Sequence, residues 1–177
     1  YGITGYGGYV PRLRMQRTAI AAAHRWMAPG LKSLAKGQRA FCSWDEDSVT
    51  MAVEAARDAF ADRARGGIES LVLSTTRPSF SDLQCASIVA GALGLSPEVQ
   101  TLDVGLSQRA GIGGLLAQLK AANGQALFIA SDHPSAKPAS TQEMTYGAGA
   151  AAFTLGSDNV IARLIGSASR NNLFVDH

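Results

Sequence analysis

The sequence predicts an α/β fold in which helices cover the faces of a sheet. Two observations carry that expectation: strand-like runs alternate with amphipathic helical stretches, and the runs are apolar almost without interruption, as strands buried on both faces are. A third bounds it. At 177 residues, 46% hydrophobic and 17% charged, the chain has the size and composition of one compact domain rather than of a disordered polypeptide.

Each element follows from local chemistry. Residues 2–10, Gly-Ile-Thr-Gly-Tyr-Gly-Gly-Tyr-Val, mix β-formers with glycines and stop at Pro11, which suits a strand that packs closely against a neighbour. The Ala-rich stretch 17–27 predicts a helix ended by Pro29-Gly30. Ser43-Trp-Asp-Glu46 has the form of a capping box, in which hydroxyl and carboxylate each satisfy an orphan backbone N–H, so a helix is expected to start there. Val49, Ala52, Val53, Ala56 and Phe60 form its apolar stripe, and Gly66-Gly67 closes it. Ile68 to Leu73 is a short buried strand. Ser81-Asp-Leu-Gln84 reads as a second cap, opening a helix with the stripe Cys85, Ile88, Val89 and Ala92 and Gly94 beyond its end.

Val99 to Val104 is the next strand, and Ile112, Leu115, Leu116 and Leu119 stripe a helix that runs to Asn123-Gly124. Ala126 to Ala130 is another apolar strand. Beyond a polar loop from Ser131 to Gln142, the stretches 148–155 and 160–165 predict two strands paired through the turn Gly156-Ser-Asp-Asn159.

Composition also excludes function classes. A net charge of +2 with both signs interspersed lacks the cationic field that nucleic-acid binding relies on. Arg12, Arg14 and Arg17, with Arg25 and Lys32 following, form the one basic cluster; it is either a solvated face or a seat for a phosphate-rich ligand tail. Cys42 and Cys85 stand far apart with no metal-ligand spacing, which fits a reducing cytoplasm and neither a zinc site nor a disulfide framework. No apolar run is long enough to span a membrane, and no secretory signal is visible. The start at Tyr1 and the finish at Val175-Asp176-His177 give both ends a trimmed look.

Few residues carry an obvious chemistry. Gly5-Tyr-Gly-Gly-Tyr9 fails the dinucleotide pattern, since Val10 falls at the third glycine and no helix start follows. Ser107, His133 and Asp132 or Asp103 supply the residue types of a triad, with nothing beyond residue type in its favour. His24 reads as a structural or a surface residue, whereas His133, in a polar loop between Asp132 and Pro134, is the histidine that could line a pocket. Asp45, Glu46 and Asp47 suit the positive end of the helix they begin.

The strongest signal is the stretch from Thr101 to Leu116, where an apolar strand turns directly into a Gly-rich helix start. A helix N-terminus offers unpaired N–H groups and partial positive charge, so such a turn can hold a thiolate, an enolate or an oxyanion. It can equally be a plain strand-to-helix connection. The turn carries Ser107, Gln108 and Arg109 and no cysteine.

Four segments together resemble a known family: Gly2-Ile-Thr-Gly-Tyr-Gly-Gly-Tyr-Val-Pro11, Asp45-Glu-Asp-Ser-Val-Thr-Met-Ala-Val-Glu-Ala-Ala56, Asp103 to Gly114, and Tyr146-Gly-Ala-Gly-Ala-Ala-Ala-Phe153. The sequence resembles the N-terminal half of the thiolase superfamily, nearest its 3-hydroxy-3-methylglutaryl-CoA synthase branch, with ketoacyl-carrier-protein synthases of the type-three kind more distant. Phe174-Val-Asp-His177 looks like the crossing point into a second half. The resemblance implies a βαβαβαββ unit with a mixed five-stranded sheet over residues 1–177, an active site between two such halves, and a C-terminal half outside this chain. It implies a CoA thioester as substrate with no permanently bound cofactor or metal, a dimer through the thiolase-type interface, and a zinc-ribbon and OB-fold partner protein such as accompanies several relatives.

Residue by residue, the resemblance puts Gln108 at the position of the family's nucleophilic cysteine, with Arg109-Ala-Gly-Ile112 after it. It puts Thr75 at or beside the synthase's general-base glutamate, and the catalytic histidine in the second half. Ser107, Arg109 and Gly111 then become substrate-binding candidates, with Gln108 and Thr75 at the catalytic positions. A glutamine amide is neutral and forms no thioester, but it can donate an N–H to a thioester carbonyl or an enolate. The implied activity is an acyltransferase-type one, making or breaking a carbon–carbon bond beside a CoA thioester. The alternative is a catalytically silent subunit supporting an active partner.

Overall fold

The computed structural model describes residues 1–61 and 63–170. In chain order its elements are β1 (Gly2–Tyr9), β2 (Arg14–Gln16), α1 (Arg17–Ala23), a 3-10 turn at Pro29–Leu34, β3 (Gln38–Ala40), α2 (Ser48–Phe60), β4 (Ile68–Thr75), α3 (Cys85–Leu93), β5 (Gln100–Gly105), α4 (Ala110–Ala121), β6 (Gln125–Asp132), α5 (Thr141–Thr145) and β7 (Gly149–Gly156). Five strands form one mixed sheet in the order β1-β7-β6-β4-β5, while β2 and β3 pair apart from it as a small ribbon. Within the sheet β5, β4 and β6 run parallel, and β7 lies antiparallel between β6 and β1. This is the expected α/β layer with a mixed five-stranded sheet.

Strand alternation divides the core between the two faces. Leu71, Leu73, Leu127, Ile129 and Ala152 point to one face, where α2 and α3 seal them with Ala52, Ala56, Phe60 and Val89. Val72, Ala126, Phe128 and Leu155 point to the other, where Leu115 and Leu119 of α4 pack against them. A separate small cluster of Ile20, Leu31 and Met144 holds α1, the 3-10 turn and α5 together.

Glycine brings these layers into contact at two points. A Cβ on Gly7 would lie 2.1 Å from the Ala59 backbone nitrogen, so β1 can meet α2 only without a side chain there, as its glycine content predicted. A Cβ on Gly114 would lie 2.9 Å from the Phe128 ring, and its absence lets α4 sit down on the sheet.

Several local expectations are corrected. The cap of α2 is Asp47, four residues after Ser43: its carboxylate accepts from the Thr50 N–H at 2.8 Å, and the Thr50 hydroxyl accepts from the Asp47 N–H at 2.8 Å. Glu46 instead accepts from the Ser43 N–H at 2.7 Å, in the turn that precedes the helix. The helix ends at Ala61, whose φ of +47° breaks it before Gly66-Gly67. No Ser81-Gln84 capping box forms. Asp103, from β5, accepts from the N–H groups of Cys85 and Ala86 at 2.7 Å each and so caps α3 across the fold.

The stretch 160–165 is not a strand paired with β7. The chain crosses to the far edge of β1, where the Ile3 N–H donates to Ala162 at 2.8 Å and the Ile161 N–H donates to Ile3 at 2.8 Å. The Ala-rich helix stops at Ala23, and Pro29-Gly30 opens the 3-10 turn rather than closing a helix. The segment Phe174–His177 lies outside the described residues.

Candidate functional site

β4, β5 and β6 all point their carboxyl ends to the same rim of the sheet, the place where α/β sheets receive ligands. Thr75 ends β4, Gly105 ends β5 and Asp132 ends β6. From β5 the chain turns through Leu106, Ser107, Gln108 and Arg109 into α4. Leu106 takes a left-handed φ of +66° while 86% exposed, a conformation that costs energy for a residue with a side chain and sharpens the turn. Ser107 stabilises the same turn by accepting from the Arg109 N–H at 3.2 Å, and its carbonyl accepts from Ala110 at 2.9 Å.

Two adjoining cavities open at this rim. The first, of about 350 Å³, is lined by Ser74, Thr75, Ser107, Gly111 and Ser131 among others, and the second, of about 720 Å³, by Arg77, Leu106, Pro134 and Tyr146. Thr76, Gln108 and Asp132 line both. A further cavity of about 340 Å³ lies at the opposite end of the parallel strands, where Arg63 is already committed to the carbonyls of Thr4 and Ala59.

The fold thus brings Gln108, Thr75, Ser107 and Gly111 to one cavity. Arg109 stands beside them as the residue before α4, and its side chain makes no cap on that helix. The Gln108 amide nitrogen donates to the Tyr146 hydroxyl at 3.2 Å. Tyr146 is held in turn by Arg39 of β3, whose guanidinium donates to the Tyr146 carbonyl at 3.2 Å. Thr75 is 4% exposed, and its hydroxyl is spent locally, donating to the Arg77 carbonyl and accepting from the Arg77 N–H.

Ser107 takes the N–H groups of Arg109 and Ala110, which leaves those of Gly111 and Ile112 in the first turn of α4 with no side-chain cap. Their partial positive charge faces the end of the cavity marked by Gln108 and Gly111, so an oxyanion or enolate oxygen can be held there by backbone and Gln108 donors together.

Residues beyond Gln108, Thr75, Ser107, Arg109 and Gly111 complete the rim. The Asp132 carboxylate accepts from the Thr76 hydroxyl at 2.6 Å and from the Thr76 N–H at 3.3 Å, while its other oxygen is buried without a partner among the described residues. Ser131 is 1% exposed and its hydroxyl too has no partner there. The signal for Asp132 was a carboxylate closing an apolar strand at the ligand-receiving rim. Tyr146 stood only as the first residue of a segment that carries the resemblance, with no chemistry attached to it.

The triad types do not assemble. Asp132 bonds Thr76, Asp103 caps α3, and Ser107 serves its own turn. His24 pairs with Glu143 at 3.1 Å, the structural role its position suggested. Cys85 is fully buried, and burial, then Glu46 and Asp47 nearby, push the Cys42 thiol above its ordinary range, so Cys42 is not poised as a thiolate. No group of metal-ligating side chains gathers among the described residues, and no helix there is long and apolar enough to cross a membrane.

No protein-family model matches this sequence. The chain is similar to the hydroxymethylglutaryl-CoA synthase of Aeropyrum pernix, with 35% identity over 162 residues that cover 88% of this chain and 45% of that protein. It is similar to the hydroxymethylglutaryl-CoA synthase of Methanopyrus kandleri at 34% identity over 178 residues, covering 95% and 50%. The chain spans about half the length of the curated relatives it matches. Its fold is similar to a hydroxymethylglutaryl-CoA synthase solved in complex with CoA, with a TM-score of 0.74, 20% identity, and 89% of this chain against 42% of that one. It is similar also to 3-oxoacyl-(acyl carrier protein) synthase III of Pseudomonas aeruginosa, with a TM-score of 0.75, 24% identity, and 88% against 51%. At these identities the solved structures bear on the fold alone.

Proposed function

Since the chain belongs to the hydroxymethylglutaryl-CoA synthase-like branch of the thiolase superfamily, we propose that it is the N-terminal half of a protein acting on CoA thioesters. In this reading Gln108 occupies the position of the family's nucleophilic cysteine, and Thr75 stands on the side of the general-base glutamate. The reaction makes or breaks a carbon–carbon bond beside the thioester, with the enolate held rather than an acyl group transferred to the protein. The observation that carries it is the placement of the Gln108 amide in the cavity at the uncapped start of α4, beside Gly111.

The remaining parts follow from the same reading. Ser107 and Arg109 border the thioester, and the basic segment around Arg12, Arg14, Arg17, Arg25 and Lys32 takes the phosphate-bearing tail. Arg39 supports that arrangement by tying the segment to Tyr146 and hence to Gln108. A C-terminal half of the same fold covers the uncovered side of α4, where Ile112 is 67% exposed. A dimer through the thiolase-type interface would use the free edge at β5. A zinc-ribbon and OB-fold partner is a further expectation for the whole protein. Two free thiols are in keeping with the reducing cytoplasm.

Titrating an acyl-CoA into the intact protein tests the reading. Saturable binding that weakens by about tenfold in Gln108→Ala, as loss of one good hydrogen bond to a charged or polarised group does, is the expected result. Failure of the unsubstituted protein to bind would overturn it.

One observation favours a second reading, a catalytically silent subunit supporting an active partner: the Thr75 hydroxyl is locked in its own turn with Arg77. Turnover of a CoA thioester by the purified protein alone would count against that role.

A further inference from the structure

We propose that Asp132 is the proton acceptor of this site, removing a proton from the carbon next to the thioester carbonyl of a bound acyl-CoA. The proposal rests on the CoA-thioester reading above.

Enolate chemistry needs a base, and the residue at the expected position cannot supply one. Thr75 bears a neutral hydroxyl already bonded to Arg77, and Gln108 bears a neutral amide. Among the residues lining the two rim cavities, Asp132 is the one carboxylate, and it lines both.

Its bonding is uneven. One oxygen is anchored by the Thr76 hydroxyl at 2.6 Å and the Thr76 N–H at 3.3 Å, which fixes the plane of the carboxylate. The other is withdrawn from bulk water with no hydrogen-bond partner, and no Lys, Arg or His forms an ion pair with Asp132 among the described residues. A buried carboxylate oxygen left without a donor is costly, and it leaves Asp132 with acceptor capacity that the fold does not use. Ser131 next to it adds a second buried polar atom without a partner, its hydroxyl, on the same cavity wall.

The step balances without a co-reactant. The C–H bond breaks and its proton goes to the Asp132 carboxylate. The C–H electron pair becomes the carbon–carbon π bond of the enolate, and the carbonyl π pair moves to oxygen, where Gln108 and the α4 amides hold it. Reversal returns a proton to carbon. In deuterated water, with no electrophile present, the visible result is exchange of the α-hydrogens of the acyl group for deuterium.

The test follows α-hydrogen exchange on acetyl-CoA in deuterated water, by proton NMR, with thioester binding measured in parallel by calorimetry. The intact protein is expected to bind and exchange, at a rate that rises with pH through one ionisation. Asp132→Asn keeps an acceptor for Thr76, and it should bind within about twofold of the unsubstituted protein while losing exchange by about 100-fold, along with the pH-dependent limb. Thr76→Val, which loosens the anchor but leaves the carboxylate, should slow exchange and keep that limb; it decides the matter if Asp132→Asn fails to fold. Exchange by Asp132→Asn within about tenfold of the unsubstituted rate, or a Thr76→Val profile without the limb, would overturn the assignment. Binding without exchange in the unsubstituted protein overturns it while leaving CoA binding intact. No binding at all overturns the CoA reading and the assignment with it.

Discussion

The two faces of the sheet are built to different specifications. On one, nine of the thirteen residues of α2 are buried, and α2 and α3 close over a continuous apolar core. On the other, α4 is apolar apart from Gln118 and Lys120, yet only Ala110 and Gly114 of its twelve residues are buried. Ile112 on α4 and Leu102 on β5 stay 67% and 54% exposed. The first face is complete in itself. The second leaves one side of an apolar-rich helix uncovered among the described residues, the side that the proposed second half would need. The site lies where the two conditions meet, since Gln108 and Gly111 belong to the turn and first residues of that half-covered helix.

The contrast breaks most readily by stability measurements on one residue from each face. Phe60→Ala, in the sealed core at 2% exposure, should cost about 3–5 kcal/mol in urea unfolding. Ile112→Asp should change the chain's own stability by about 0.5 kcal/mol or less while abolishing any association with a second half. Similar losses for both would mean that α4 is covered by something within this chain.

Glycine substitutions sharpen it next. Gly7→Ala drives a Cβ to 2.1 Å from the α2 backbone and should destabilise by about 1–3 kcal/mol. Gly113→Ala, with nothing within 4 Å of its Cβ, should instead stabilise α4 by about 0.5–1 kcal/mol, read as a rise in melting temperature.

Between these two effects falls the link between edge strand and helix. Asp103→Ala removes the acceptor for two N–H groups of α3 and should cost about 1–2 kcal/mol, with hydrogen exchange faster at Cys85 and Ala86.

The smallest effect is a pH dependence. Burial pushes the Asp47 carboxyl up, but hydrogen bonds from Thr50, Ser79 and the Val49 backbone outweigh it and hold the group below its ordinary 3.8. A lowered value in the folded state means the unfolded chain binds the proton more readily, so stability rises with pH across this window. Asp47 therefore stabilises fully above about its unfolded value, and the contribution disappears as pH falls through the lower folded value. The urea midpoint should drop over that acid range in the unsubstituted protein and less steeply in Asp47→Asn.

The larger architecture was legible because it is written in periodicity. Apolar runs such as Leu71–Leu73 and Leu127–Ile129 are strands because they are buried on both faces, and the stripe from Val49 to Phe60 is a helix because those positions meet one surface. The same periodicity misled at 160–165, where strand-like residues extend along β1 instead of pairing with the neighbour in sequence. Capping was misread for two reasons. At α2 the working pair is Asp47 with Thr50, four residues past the Ser43-Glu46 pattern, and the pattern itself is used in a turn. At α3 the cap comes from Asp103, far along the chain, which no local rule can find.

The site was legible in part. The turn at 105–111 announced itself through strand, turn and helix start, and Thr75 and Gln108 do share a cavity. Asp132 was read only as one residue type of a triad that does not form, and Tyr146 was not singled out, because their roles come from contacts with Thr76 and Gln108 that depend on the strand order.

The central claim is that Gln108 holds a thioester where the relatives' fold would present a nucleophile, and intact-protein mass spectrometry after incubation with an acyl-CoA tests it most directly. The unsubstituted protein should show no mass gain, whereas Gln108→Cys, placing a thiol at the positive start of α4, should gain one acyl group. An acyl adduct within the turn of the unsubstituted protein, or none on either protein, would contradict the account.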